Sequence, residues 1–184
     1  DTASLDAVQL GALSSLQMGA FTASQIRALS LEQIGSLTAT QIKGLTAAEM
    51  TAMSATQVGA LTPEQIPELT VAGLSGLTAI NMAGLSAEQL GALTATQVGQ
   101  LAPMQVRGLS ATQIPALADT QLAALTATGI TGLTATQAAA FTETQIAALT
   151  TSQIKGLSAA FTTARAVEAS SGPPTKTARS PFSF

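Results

Sequence analysis

From Leu5 to Leu157 every eighth residue is large and apolar, and the residue five places after each of them up to Leu149 is apolar too. The apolar spacing therefore alternates between 5 and 3 along the chain, without an insertion or deletion. That is neither the strict alternation of a half-buried strand nor the continuous stripe of a long amphipathic helix. Four consecutive octads, residues 37–68, read LTATQIKG, LTAAEMTA, MSATQVGA and LTPEQIPE. Numbered from its Leu, the octad has large apolar residues at positions 1 and 6, a small residue at position 8 and mostly polar ones between. Position 1 departs from Leu only at Phe21, Met53 and Phe141.

The polar positions predict a helix start in every octad. Position 2 is Ser or Thr except at Asp6, Ala102 and Ala118, and position 5 is Gln except at Glu49, Gly73, Asn81 and Gly129. Ser or Thr followed three residues later by Gln or Glu is a capping box, and the apolar residues at positions 1 and 6 stand where a hydrophobic staple needs them. Pro63 and Pro103 fall at the first helical position, where proline suits a helix. Charge follows the same frame. Arg27, Lys43, Arg107 and Lys155 all occupy position 7, whereas Glu32, Glu64, Glu88, Asp119 and Glu143 occupy positions 3 or 4. Acid at the start and base at the end is what a helix dipole favours. Glu68 alone has no role in this scheme.

The helices must be short. Pro67 and Pro115 stand at position 7, where proline removes a helical hydrogen bond, and position 7 is Gly in several other octads, which predicts a left-handed stop. About one turn per octad follows, partly 3₁₀, and then a tight corner. One turn is unstable alone, so neighbouring octads must stack, with small position-8 residues letting backbones approach. The predicted fold is an all-α repeat solenoid of one-turn capped helices, eight residues per repeat. Its core includes Leu37, Ile42, Leu45, Leu61, Ile66, Leu77, Leu93, Leu109, Ile114, Leu133 and Ile154. The alternative is a β-solenoid with 16 residues, two octads, per coil. Ala, Gln and Leu are poor strand formers and argue against it.

The organisation that follows is a lead-in at residues 1–4 and nineteen octads at 5–156 forming one solenoid. A terminal helix or cap comes next at 157–169, then a Pro- and Ser-rich tail at 170–184. The octads that carry Gly73, Asn81 and Gly129 in place of Gln are expected soft spots. The tail ends in Phe182 and Phe184, which are candidate assembly contacts with a neighbouring subunit. The chain opens on Asp1 rather than Met, which reads as a processed or excised segment, and no signal-peptide pattern is recognisable.

Composition narrows the chemistry. The 184 residues include no His, Cys, Trp or Tyr, so the usual general base, the thiolate nucleophile and the strongest metal ligands are missing. No catalytic residue, metal site or cofactor is expected, and the chain is not expected to be an enzyme. A net charge of −3 gives no footprint for nucleic acid, and no apolar stretch is long enough for a membrane span. Two polar rows remain as candidate binding features. Pairs such as Thr38/Thr40, Thr94/Thr96 and Thr134/Thr136 would form a hydroxyl ladder on a flat face. The Gln row would form either a ligand stripe or, more simply, capping boxes and an inter-repeat ladder.

The array, with strings such as LTATQIKGL (37–45) and LTTSQIKGL (149–157), is similar to the octapeptide arrays of large repetitive bacterial exoproteins, often described as adhesin-like. The resemblance covers residues 5–157. It implies an extracellular or cell-surface location and a structural role as stalk, fibre subunit or surface-layer spacer; the apolar end faces of a solenoid add an expectation of head-to-tail self-association. The alternative it leaves open is an adhesin or ice- or surface-binding module using the Thr/Ser face, with a surface or carbohydrate ligand. The string LTPEQIPEL (61–69) also resembles the opening of a transcription-activator-like effector repeat, but over one octad alone and without the basic scaffold of that family.

Overall fold

A computed structural model describes residues 4–157. Every regular element among them is a short helix and none is a strand, so the β-coil alternative is not what this chain adopts. The segments expected as a cap (158–169) and tail (170–184), with Phe182 and Phe184, lie outside the described residues, as do residues 1–3.

The α-helices from Ala7 to Ala148 are four to six residues long, and each begins one residue after a position-2 cap. Ala39–Gly44 starts after Thr38, Ala47–Ala52 after Thr46 and Ala55–Gly59 after Ser54. In the two octads with proline at position 7, the α-turn is replaced by 3₁₀ helices at Ile66–Glu68 and Ile114–Ala116. Proline has no N–H to close an α-turn, while the shorter 3₁₀ step remains open to it.

The helix ends differ from the sequence expectation. No described glycine has a positive φ, so glycine at position 7 is not a left-handed stop. Gly35, Gly59 and Gly99 are instead the last helical residues, followed by right-handed C-caps such as Ser36 at φ −89°. The turn is closed by a tightened last bond, in which the position-1 N–H donates to the position-6 carbonyl three residues back (Leu45 to Ile42, 3.1 Å). The chain then passes through two extended residues, Leu45 (ψ 122°) and Thr46 (ψ 176°), straight into the next cap. A corner built this way needs no residue in the left-handed region.

Each helix packs against one three octads away. Ala79–Gly84 touches Pro103–Gly108, and Ala95–Gly99 touches Asp119–Ala124. The arrangement is all-helical with neighbouring helices in contact, compatible with an α repeat solenoid. Its core is two rows of side chains. Position 6 is buried to 1% exposure or less at every octad from Leu10 to Ile130, and position 1 is buried from Leu29 onward. Leu37, Ile42, Leu45, Leu61, Ile66, Leu77, Leu93, Leu109, Ile114 and Leu133 all lie in this core.

Ile154 does not: it is 46% exposed, and Ile146 before it is 47% exposed. Some position-6 side chains lie against the octad three further along the chain: a Cβ on Gly156 would stand 3.3 Å from Ile130 Cγ2 and one on Gly129 3.7 Å from Val106 Cγ2. The sequence pattern treats all position-6 residues alike, but their burial differs.

Position 8 sets how closely the coils approach. A Cβ on Gly76 would stand 2.7 Å from Ala47 Cα, one on Gly108 would stand 2.5 Å from Ala79 Cα and one on Gly44 would stand 2.7 Å from Ser15 Cα. The same two octad positions meet each time, the end of one helix crossing the first residue of another. Thr51 reinforces one crossing by donating to the carbonyls of both Ala47 (2.7 Å) and Gly76 (2.9 Å).

Two opposite outcomes are expected from Gly-to-Ala changes, read by thermal or urea unfolding. Gly76→Ala forces the backbones apart and destabilises by about 1–3 kcal/mol. Gly91→Ala, inside a helix with nothing within 4 Å of the new Cβ, stabilises by about 0.5–1 kcal/mol. Leu77→Ala removes a 3% exposed core side chain and costs about 2–5 kcal/mol.

Candidate functional site: the buried glutamine row

The residues with the most chemistry in this chain are the position-5 glutamines. Gln41, Gln57, Gln65, Gln89, Gln97, Gln105, Gln113, Gln121, Gln137, Gln145 and Gln153 are all buried, each at most 7% exposed. A primary amide carries two donors and a two-lone-pair acceptor, so burying it is costly unless most of them are used.

The oxygen is used locally. Gln97 Oε1 accepts from the Thr94 N–H (2.8 Å), and the Gln97 N–H donates to Thr94 Oγ1 (3.2 Å), which completes the capping box. The nitrogen is used at long range. Gln97 Nε2 donates to the carbonyls of Ile66 (2.9 Å) and Leu69 (2.8 Å), 31 and 28 residues earlier. Gln57 Nε2 reaches Ile26, Arg27 and Leu29 in the same way, and Gln89 reaches Val58, Gly59 and Leu61. Those carbonyls lie at and just after a helix C-terminus; the position-6 carbonyl already accepts the position-1 N–H and takes the amide as a second donor. One side chain thus closes the start of its own helix and the end of a helix four octads before it. No buried side-chain nitrogen or oxygen among the described residues lacks a partner.

The exceptions in the row show what the amide supplies. At Ala102 and Ala118 the hydroxyl is missing, so half the box remains. Gln105 and Gln121 still accept from the cap N–H (2.9 and 3.0 Å), while their own N–H groups turn to the cap carbonyls. Asn81, one methylene shorter, keeps its cap but reaches a single corner carbonyl, Met53, at 3.4 Å. At Gly73 and Gly129 there is no amide, and the backbone itself moves in: a Cβ on Gly73 would stand 2.7 Å from Leu45 O. Two of the three octads expected to be soft spots, those of Gly73 and Gly129, are places of close backbone approach. Glu49 is buried at 5% exposure and keeps the cap, accepting from the Thr46 N–H (2.8 Å) and its hydroxyl. An ionised carboxylate has no donor to give the corner.

The other candidates are placed as follows. The position-2 hydroxyls of Thr38, Thr94 and Thr134 are held in caps, and Thr40, Thr96 and Thr136 are exposed at the second helical residue. The Thr pairs lie on helix starts rather than on a flat strand face. Glu68, without a role in the sequence frame, pairs with Lys43 at 2.8 Å across two coils. Both partners are partly exposed, which limits the pair to on the order of 0.5 kcal/mol. Glu64 is held below the ordinary carboxylate range by its own backbone N–H and by the Thr62 hydroxyl. No group of three acidic, His or Cys residues gathers as a metal cluster among the described residues, and no described helix is long and apolar enough to cross a membrane. A shallow apolar groove lies over Leu31, Ala55, Gly59 and Gly84.

No family model matches the chain, and neither a curated protein nor a solved structure matches it.

Replacing Gln97 by Met removes both uses of the amide at nearly constant volume. The expected cost is about 2–4 kcal/mol, because the cap N–H and the Leu69 carbonyl lose their partner and the Ile66 carbonyl loses one of two. Glu49→Gln is expected to stabilise by about 1 kcal/mol, through the donor it restores to the corner. Chemical unfolding of both variants checks the pair. A Gln97→Met protein as stable as its parent refutes the ladder.

Proposed function

We propose that this chain is a structural spacer: a solenoid of eight-residue repeats that serves as a stalk, fibre subunit or surface-layer element of an extracellular repeat protein. The observation that carries the reading is the glutamine row. Its polar groups are consumed in closing the start of its own helix and in tying that helix to the corner 28–31 residues earlier. A row of buried amides spent this way offers a ligand nothing and offers the coil a regular internal tie. A repeat bound to its neighbours by equivalent contacts extends by adding units, and length is the property a spacer provides. The extracellular placement rests on the resemblance of the octads to those of large repetitive bacterial exoproteins.

The test is a length series. Inserting a second copy of residues 37–68 in frame after Glu68 should lengthen the particle along one axis at constant cross-section, measured by small-angle X-ray scattering, with the far-UV dichroism per residue unchanged. An insert that loops out, or a particle that grows in all directions, defeats the spacer reading.

A further inference from the structure

The octads share one pattern but do not present equal surfaces. Helices three octads apart stack, so every third octad belongs to one column. One column runs through Leu31–Gly35, Ala55–Gly59, Ala79–Gly84 and Pro103–Gly108. Its members lie close together. A Cβ on Gly35 would stand 3.4 Å from Ala60 O, one on Gly84 3.5 Å from Ala55 Cβ and one on Gly108 2.5 Å from Ala79 Cα. Positions 4 and 7, neighbours on a helix surface, form the outward face of each helix. In the adjoining columns those positions hold Thr40, Lys43, Glu64 and Glu88, or Ala48, Thr51, Ala72 and Ser75, all exposed.

This column carries large apolar side chains instead. Ile80 is 73% exposed, Met104 64% and Leu31, at position 3, 47%. Among the described residues from Leu29 to Leu125, Val71 is the one other exposed large apolar side chain. Next to Ile80, the residues Leu31, Ala55, Gly59, Ala60 and Gly84 line the shallow apolar groove. A protruding side chain and a hollow therefore lie on adjacent coils, in the middle of the array. Opposite charges flank them. Glu32 stands beside Leu31 at one side and Arg107 one turn from Met104 at the other, both exposed and neither in an ion pair among the described residues.

We infer that this face pairs side by side with the same face of a second copy, antiparallel, about a two-fold axis between Ala55–Gly59 and Ala79–Gly84. In that register Ile80 of each copy enters the groove of the other, Met104 covers Leu31, and Glu32 meets Arg107. Each contact is made twice, as an isologous interface requires. The occupant is set by this complementarity. Parallel pairing in register sets Ile80 on Ile80 and Glu32 on Glu32. An antiparallel shift by one coil sets Ile80 on Ile80 in one direction and on Glu32 in the other. An apolar anchor in a central hollow supplies the binding energy, and the charges at the rim fix partner and register more than affinity. The inference stands on the stacking of the octads and is independent of the spacer reading.

The test uses the full 184-residue chain, followed by sedimentation velocity and small-angle X-ray scattering over a range of concentrations. The parent should pass from monomer to dimer and stop there, with the dimer thicker than the monomer rather than longer. Ile80→Asp should stay monomeric with parental dichroism, and Ile80→Ser covers the case in which the aspartate disturbs folding. At low salt Glu32→Arg and Arg107→Glu should each weaken the dimer by about tenfold, because two attractive contacts become repulsive. An equimolar mixture of these two variants should recover the parental affinity, as should both changes in one chain, since every contact between positions 32 and 107 is then again between opposite charges. A parent that stays monomeric at every concentration, or grows past the dimer, overturns the inference. So does a dimer indifferent to Ile80→Asp, or a pair of reversals whose mixture does not recover. If Ile80→Asp and Ile80→Ser both lower the melting temperature of the monomer, another part of the same chain covers the face, and the inference fails.

Discussion

The fold depends on the double use of one side chain. A one-turn helix has more unpaired backbone groups than paired ones, since four N–H groups and four carbonyls are orphaned whatever its length. An array of such helices survives only if something outside each helix satisfies those groups. The position-5 glutamine does it at both ends at once, taking the cap N–H on its oxygen and giving its nitrogen to carbonyls 28 and 31 residues earlier. The amide has to be buried to reach both, and burial is tolerable because both ends are used. Leucine and isoleucine supply the apolar area, but they are indifferent to which octad they meet; the amide ties a given octad to a given corner.

The same constraint explains why the exceptions are tolerated singly. Asn81 keeps the local half of the contact and weakens the distant half, and Glu49 keeps the cap alone. Gly73 and Gly129 abandon both and let the backbone come closer, which is possible because glycine has no Cβ to meet Leu45 or Leu101. Ala102 and Ala118 lose the hydroxyl yet keep the amide at both of its ends. Each octad is held on several sides, so no one of these losses interrupts the coil. A lost contact is made up locally or carried by neighbours, as expected where stability is a sum over repeats and interfaces.

Function follows from regularity rather than from a site. The chain spends its buried polar groups on itself, and its exposed side chains are mainly short hydroxyls and alanines at helix starts. What such a surface offers is extension and repetition.

The helix starts, the short helices, partly 3₁₀, and the two apolar rows were legible in the sequence. Each is decided by residues within eight of one another: a cap and its glutamine, a proline and the carbonyl it cannot serve, a staple pair. What the sequence could not determine is the offset at which octads meet. An eight-residue pattern looks the same after every eight residues, so it is compatible with stacking at any number of octads. Only the tertiary structure decided that helices pack three octads apart, that the glutamine amide lands on the corner 28–31 residues earlier, and that Gly76 crosses Ala47. From that offset follows the partner of Glu68. The right-handed helix ends belong to the same class. A left-handed glycine would turn the chain after position 7, whereas the packing requires two extended residues, Leu and its following cap, to carry it round the corner. Local chemistry wrote the repeat, and the reach of a glutamine side chain together with the closeness of two backbones set the coil.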